Sequence, residues 1–520
     1  MAIRPARRWP LELRPGNAGS NTAGDQVTVA ELAIQQIPVE RRFSRVAGSM
    51  LPPVPASFPE LLLSGAPTRR YWIALMTVAV IVRIVVALGL LHSLPITSDA
   101  KAYSVQAIDM VHGKAHFPYY WPPGTSYLLA AGYWLFGVHA WVARVMMILV
   151  SALSVLTTTL LARRLLRPWP AATAAGWILA LYPGVIMLSA EPFAQDLTLL
   201  TLTAAALFAL RAWDTGRLLD WVLLGLSLGV ASLSRPSTLS VVPALVAAGV
   251  FAVRRLRREG RTIPTARVLL GASLAIVCLV ATLVPAAIHN ADRQEGLTLA
   301  TNSELNLWLG NNPYTPNYKT WDLGQRASSS FGPVTRRYLD HFTFPQPFTE
   351  QARSVYIQEM ERFVEQHPAV TVLRTANRTR AFWGFDYTMS STFHSDWHKS
   401  SKVEAVGLLF EAGGYFVLAA LAIVGLVFAR DIFRRGSLAL VIGLIAAFEL
   451  PYALDYAAGR WHYPILGLLT VIAGAGVYWL VSTPSRWQQI RSSKALWLIL
   501  VVFVAVQTEY AYFALRVQHT

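Results

Sequence analysis

A single cysteine, Cys278, stands among 520 residues, and it lies inside an apolar run. No disulfide can form within the chain, so any domain outside a membrane must fold without one. Charge is scarce too: Asp, Glu, Lys and Arg make up 14% of the residues, where soluble domains carry about 25%. Acidic residues are outnumbered, 29 against 45 basic ones, for a formal net charge of +16. The sequence has no G-x-x-x-x-G-K-[ST] loop and no G-x-G-x-x-G turn. Nucleotide binding by those loops is therefore not indicated. No internal repeat and no heptad run is visible. The first seventy residues, rich in Arg, Pro and Ala, lack an apolar stretch near the start, so they are not expected to form a signal peptide.

What the chain does have is apolar surface. Hydrophobic residues make up 54% of it, and the mean hydropathy is +0.41. A bilayer-spanning helix needs about 20 predominantly apolar residues. Suitable runs lie at 71–91, 140–161, 171–188, 194–212, 220–233, 239–253, 268–288, 405–429, 437–454, 461–481 and 494–515. The expected fold is therefore an all-α polytopic membrane protein with about eleven transmembrane helices. The runs at 220–233 and 239–253 are short and are expected to form a tight pair.

The basic excess falls between these runs, in the loops holding Arg163, Arg164 and Arg167, Arg211 and Arg217, Arg254 to Arg261, Arg430 to Arg435, and Arg486 and Arg491. With the N-terminus inside, all five loops fall on the cytoplasmic side, as the positive-inside tendency requires. The charge thus orients the chain in a membrane, and no nucleic-acid motif accompanies it. The loop 92–139 and the segment 289–404 then face outward. Four parts are expected: a basic, mostly disordered cytoplasmic segment 1–70, with 27–42 as a candidate amphipathic helix; a membrane module 71–288 that includes the loop 92–139; a small mixed α/β external domain 289–404; and C-terminal membrane helices 405–520.

Several outward-facing residues have the character of a reactive site. Asp99 follows Ser98 just past the first span, with Tyr103 four positions on and so on the same helical face. Ser98 or Asp99 can cap that helix, or the carboxylate can take a proton from an acceptor hydroxyl or amine. Glu191 precedes Pro192 at the mouth of the fourth span. It either complements a helix dipole or acts as a second acid that orients substrate. Arg235, in Ser234-Arg235-Pro236, either snorkels to headgroups or meets a phosphate oxygen, for which a guanidinium is well shaped. Gly459-Arg460-Trp461-His462-Tyr463-Pro464 clusters a cation, an imidazole and two aromatics, which is also the composition of an interfacial aromatic belt. Arg83, near the middle of the first span, calls for an internal partner, with Glu449 and Asp455 as candidates. His394-Ser395-Asp396-Trp397-His398 can place its His and Asp side chains on one face of a strand, as a divalent metal would need. The segment is short and lacks further histidines, so a metal is not expected.

Asp99 with Tyr103, Trp121-Pro122-Pro123-Gly124-Thr125, Ser189-Ala190-Glu191-Pro192, Leu233-Ser234-Arg235-Pro236, Ile288-His289-Asn290, Leu309-Gly310-Asn311-Asn312-Pro313 and Arg460-Trp461-His462-Tyr463-Pro464 occur in that order. In this the chain, from about residue 71 to 481, resembles the family 39 glycosyltransferases of the GT-C fold. That group includes the protein O-mannosyltransferases, the aminoarabinose transferase acting on lipid A, and the RgtA/B/C/D-like enzymes. The resemblance implies transfer of a sugar from a polyprenyl-phosphate carrier to a lipid, glycan or protein acceptor outside the cytoplasm, at a bacterial inner membrane. It also implies that Asp99 is the general base. The protein mannosyltransferases usually have Asp-Glu at this position, whereas here Ala100 follows Asp99, which weighs against a protein acceptor. No cofactor beyond the lipid-linked donor is expected. Lys101, Arg235 and Arg460 are the cations available to a departing phosphate, with Tyr103, Glu191 and His462 as further substrate contacts. A single base implies inversion, since by analogy with glycosidases retention needs a second carboxylate as nucleophile. A flippase for lipid-linked sugars is the alternative; such transporters often show repeated halves, which this chain lacks. Specificity is expected to reside in 289–404 and its aromatics, including Trp308, Tyr314, Tyr318 and Trp321.

Overall fold

The computed structural model describes residues 68–114, 118–260, 264–293, 296–313, 315, 317 and 350–518. The expected disordered segment and amphipathic helix lie outside the described residues, as do Tyr314, Tyr318 and Trp321. In the first half, α1 is Arg69–Ile84, which runs on as the π-helical turn Val85–Leu90. It is followed by α2 (Ser98–Val111), α3 (Gly124–Phe136), α4 (Ala140–Leu165), α5 (Trp169–Ala180) and α6 (Pro183–Leu188). Next come α7 (Ala194–Thr215), α8 (Leu218–Ser234), the 3-10 turn Pro236–Ser240, α9 (Val241–Arg258) and α10 (Thr265–Ala291). The stretch 289–404 supplies α11 (Ser303–Gly310), α12 (Glu350–Gln366), α13 (Pro368–Phe382) and α14 (Thr388–Thr392), which continues into the π turn Phe393–Trp397. The C-terminal part holds α15 (Ser401–Phe428), α16 (Ser437–Leu454), the 3-10 turn Gly459–Ile465, α17 (Leu466–Ser482), α18 (Arg486–Ser492) and α19 (Lys494–Gln518).

Among the described residues, nine helices are long and apolar enough to cross a membrane, and the apolar α8 is a shorter tenth. The chain is an integral membrane protein. The bundle is built by α7 against α4 and α8, α8 against α10, and α17 against α5 and α15. Helices α7 and α17 are the most enclosed. Helix α10 instead turns Leu269, Ile276, Val277, Val280 and Val284 outward, as a lipid-facing helix should. The polar side chains of α7 look after themselves: Thr198, Thr201 and Thr203 each donate to the carbonyl four residues back, at 2.7, 2.7 and 2.8 Å. No strand occurs among the described residues of 289–404, so the strands of a mixed α/β external domain are not shown.

The expected span 171–188 is broken. Proline has no amide to donate and clashes with a preceding helical turn, so Pro183 ends α5 and starts α6. The carbonyls freed by that break are met by Arg83. Its guanidinium donates to Ala180 O at 3.0 Å, Leu179 O at 3.4 Å, Ala79 O at 3.0 Å and Ser151 Oγ at 2.7 Å. The carboxylate that acts on it electrostatically is Asp196. This corrects the expected pairing with Glu449 or Asp455: Glu449 bonds to Trp383, and Asp455 faces Arg378.

Two further buried arginines, Arg374 and Arg378, organise the region where α11 and α13 meet the end of α16. Arg374 donates to Asn312 O at 2.7 Å, Asn317 Oδ1 at 3.1 Å and Thr315 O. Arg378 donates to Leu454 O at 2.8 Å, Ala453 O at 3.3 Å, Asn311 Oδ1 at 2.9 Å and Gly310 O. The Asn311 amide also donates to Leu454 O at 2.9 Å. The Leu309-Gly310-Asn311-Asn312-Pro313 motif is thus a clamp that ties α11 and α13 to the end of α16. Gly310 is there because a Cβ would overlap the Asp455 carbonyl. Replacing Arg378 by Met should lower the apparent melting temperature in detergent, at about 1–3 kcal/mol for each carbonyl left unsatisfied. A melting curve like the parent's would show that the clamp is dispensable.

Beside this clamp, burial pushes the Asp455 carboxyl from its ordinary 3.8 up to about 8, against the opposing pull of the Arg378 guanidinium. The fold favours the neutral acid. Its contribution to stability is complete below pH 3.8 and is lost as pH rises toward about 8. Melting temperature followed from pH 4 to 9 should decline less steeply for Asp455→Asn than for the parent, and parallel curves would contradict the assignment.

Candidate functional site

Asp99 lies in the first turn of α2, which does not begin on a side-chain cap: Thr97 is the N-cap and its hydroxyl makes no capping bond. The capping reading of Ser98 and Asp99 is thereby replaced. Ser98 instead takes a φ of +49°, a left-handed conformation that is uncommon outside glycine. Strained residues of this kind gather at functional sites.

Two buried groups hold this turn. Glu191, wholly buried, accepts the Thr97 amide at 3.2 Å. Arg144 donates to Ala190 O at 3.2 Å, His92 O at 2.6 Å and Leu94 O at 2.5 Å. The Ser189-Ala190-Glu191-Pro192 turn and the 92–97 loop are therefore locked together beneath Asp99. Glu191 has no exposed surface and holds the start of α2 through the Thr97 amide.

The Asp99 carboxylate forms an ion pair with Arg460, whose guanidinium also lies 5.4 Å from the Phe193 ring centroid. Both side chains stay accessible, at 24% and 18%, so a substrate can reach them. Buried Asp386 acts on the same guanidinium. Burial lifts the Asp386 carboxyl above the usual carboxylate range, although Thr388 donates to it from its hydroxyl at 2.7 Å and its amide at 3.2 Å.

Tyr103 lies one turn along α2, on the face of Asp99. Its hydroxyl is within electrostatic reach of Arg235, Asp99, Arg460 and Tyr452, and burial raises its pKa. Arg235 closes the group from the end of α8. It donates to Tyr452 Oη at 3.0 Å and lies 5.9 Å from the rings of both Tyr452 and Trp461. Ser237 Oγ is 2.8 Å from the same Tyr452 oxygen. The aromatic–proline corner fixes Arg235 from the other side, since a Cβ on Gly124 would stand 2.6 Å from Ser234 N. Trp121 packs its ring 6.0 Å from that of Tyr103.

Four of the residues singled out in the sequence, Asp99, Tyr103, Arg235 and Arg460, therefore converge. Three do not join them. Lys101 is exposed and, two positions after Asp99, is off its helical face. Glu191 lies underneath. His462 is wholly buried, stacked 4.7 Å from Tyr415, with Nδ1 2.8 Å from Phe382 O. It belongs to a 3-10 turn, which repeats every three residues, so it points away from Arg460. Phe193, Tyr452 and Asp386 had no signal in the sequence beyond Phe193's place after the Glu191-Pro192 turn.

Other sequence features prove to be supports. The Asn290 side chain accepts the Tyr119 amide at 2.7 Å, and His289 stacks on the Tyr119 ring at 3.8 Å. Trp308 is buried and donates to Glu359 at 2.9 Å, so it is no sugar platform. The 394–398 segment is helical rather than extended, with His394 Nδ1 3.2 Å from Glu404. Among the described residues no group of three His, Cys, Asp or Glu side chains is placed to hold a metal.

The long apolar helices, with a polar cluster at one end of them, define an integral membrane protein. Residues 121–284 match the family described as dolichyl-phosphate-mannose-protein mannosyltransferase, which supports a membrane glycosyltransferase of the GT-C type. No curated protein matches the sequence. Among solved structures, the chain is similar to the oligosaccharyltransferase AglB from Archaeoglobus fulgidus in complex with an inhibitory peptide and a dolichol-phosphate, with 11% identity, a TM-score of 0.45 and 85% of the present chain covered. The Archaeoglobus fulgidus oligosaccharyltransferase tethered to an acceptor peptide is similar at 12% identity and a TM-score of 0.45, over 86% of the present chain. The present chain spans 55% of the length of each.

Glu191→Ala leaves the Thr97 amide without its acceptor, a cost of about 1–3 kcal/mol, whereas Glu191→Gln keeps an oxygen there. Amide hydrogen exchange at the start of α2 should quicken in the alanine variant and stay near the parent's in the glutamine variant. Equal exchange in all three would remove Glu191 from its positioning role.

Proposed function

We propose that the chain transfers a sugar from a polyprenyl-phosphate donor to an acceptor at the external face of a bacterial cytoplasmic membrane, with inversion at the anomeric carbon. The observation that carries this reading is the accessible Asp99–Arg460 pair, with the Tyr103 hydroxyl within electrostatic reach of it and of Arg235. The family match over residues 121–284 supports it.

In this reaction the acceptor oxygen or nitrogen attacks the anomeric carbon while Asp99 takes its proton. The bond from that carbon to the phosphate oxygen breaks, and its electron pair leaves on the lipid phosphate. The developing charge falls to Arg460 and Arg235. A guanidinium suits this work because its forked donors match phosphate oxygens and are already oriented before charge develops. Inversion is favoured because Glu191, a candidate second carboxylate, is enclosed on the Thr97 amide. The outward orientation rests on the distribution of arginines. They collect at the far ends of α4 and α7, away from Asp99.

The test uses purified protein in lipid nanodiscs with a polyprenyl-phosphate sugar. Asp99→Asn should lower kcat by about 10²–10⁴-fold while donor binding persists, and Arg235→Met should raise KM for the donor. Transfer by Asp99→Asn at the parent rate would dismiss the base assignment. Movement of the lipid-linked sugar between leaflets without transfer would dismiss the enzyme. Mass spectrometry of envelope lipids, glycans and proteins from a deletion strain identifies the acceptor.

A further inference from the structure

A strongly basic cavity lies far from Asp99. Helix α4 begins beside the Asp99 turn, where Arg144 holds the 92–97 loop, and its 26 residues extend about 39 Å. Helix α7 likewise begins next to Phe193 and runs 22 residues, about 33 Å. At their far ends a cavity of 890 Å³ opens, within the range of about 300–1,000 Å³ typical of ligand sites.

Seven arginines line it against two carboxylates, Asp214 and Glu259. Arg163, Arg164 and Arg167 come from the end of α4 and the turn after it, and Arg211 from α7. Arg255 comes from α9, and Arg434 and Arg435 from the loop before α16. The walls are built rather than loose. The Arg167 amide donates to Ile432 O at 2.9 Å and the Arg434 amide to Leu165 O at 2.8 Å, which pairs the two loops antiparallel. Arg163 is held 3.7 Å over the Trp169 ring. Asp214 accounts for Arg164 at 3.3 Å and Arg255 at 3.6 Å, and Asp220 for Arg211 at 2.8 Å. Among the described residues, Arg167, Arg434 and Arg435 have no carboxylate partner.

We propose that this cavity binds a phosphate-rich anion, either the headgroup of an anionic lipid or a soluble diphosphate, by the convergence of arginines from four segments at the end of the bundle opposite Asp99. Guanidinium forks match phosphate oxygens in pairs, and basic pockets between membrane helices bind lipid headgroups. Like charges packed into one cavity repel, and a polyanion relieves that repulsion. The site is separate from the glycosyl-transfer reading and does not depend on it.

Inorganic pyrophosphate titrated calorimetrically into the full-length protein in detergent should bind with a Kd below about 1 mM. Replacing Arg167, Arg434 and Arg435 together by Ala should weaken binding about 100-fold, at roughly 1 kcal/mol per charge. The same three replaced by Lys should recover most of it. Asp214→Asn, which frees Arg164 and Arg255, should tighten it several-fold, a gain that misfolding cannot produce. Repeating the titration in nanodiscs separates the sources. If phosphatidylglycerol suppresses pyrophosphate binding relative to neutral discs, the occupant is a lipid headgroup; equal binding in both points to a soluble diphosphate. The proposal falls if the parent protein binds neither pyrophosphate nor phosphatidylglycerol, or if the alanine and Asp214→Asn variants both bind as the parent does.

Discussion

A backbone carbonyl freed inside a bilayer has no water to turn to, and this protein meets that constraint repeatedly with buried arginine. Arg83 takes the carbonyls released where Pro183 ends α5. Arg144 takes those of the loop before α2 and of the Ala190 turn. Arg378 takes those at the end of α16 and at Gly310. Each guanidinium has five donors in a fixed fork, enough to close several irregular turns at once. The helices can therefore break where the site needs a turn, and the breaks stay rigid. The Asp99 turn owes its place to one such arginine and to a buried glutamate.

How much of this could be read from the sequence depends on the kind of signal. Apolar length and loop arginines reveal the spans because bilayer thickness and insertion energetics act on the chain locally. The interrupted span at 171–188 reads as one helix by hydropathy, although Pro183 marks the break for anyone who weighs it. Asp99, Arg235 and Arg460 were legible because each stands beside a turn residue near the end of an apolar run, and Tyr103 because it follows Asp99 by four positions on the same helix. What could not be read was the sorting of neighbours. His462 and Arg460 are two residues apart, and only the 3-10 winding of that turn sends one inward and the other to the site. Glu191 looked like a substrate contact because sequence shows that an acid is near the surface, not that a loop covers it. Tyr452 and Asp386 arrive from remote segments through tertiary packing, which leaves no local pattern.

The motifs divide along the same line. Those at Trp121-Pro122-Pro123-Gly124, Ile288-His289-Asn290 and Leu309-Gly310-Asn311-Asn312-Pro313 are framework: they bring backbones too close for a Cβ or satisfy amides and carbonyls. Such framework explains why the chemistry of a small cluster needs a large chain around it. Arg235 sits beside Ser234, which Gly124 presses directly, so the reach of that guanidinium is set by a missing methyl group on another helix.

Arg83 also bears on how the protein is made. Apart from Ala79 in its own helix, its acceptors come later in the chain: Ser151 by 68 residues, Leu179 by 96 and Ala180 by 97. When α1 first enters the membrane it carries a guanidinium whose distant partners have not been synthesised. A lone arginine at that depth costs about 2.5–3.5 kcal/mol on insertion scales. The environment that satisfies this arginine is therefore complete only once α4 and α5 have joined α1.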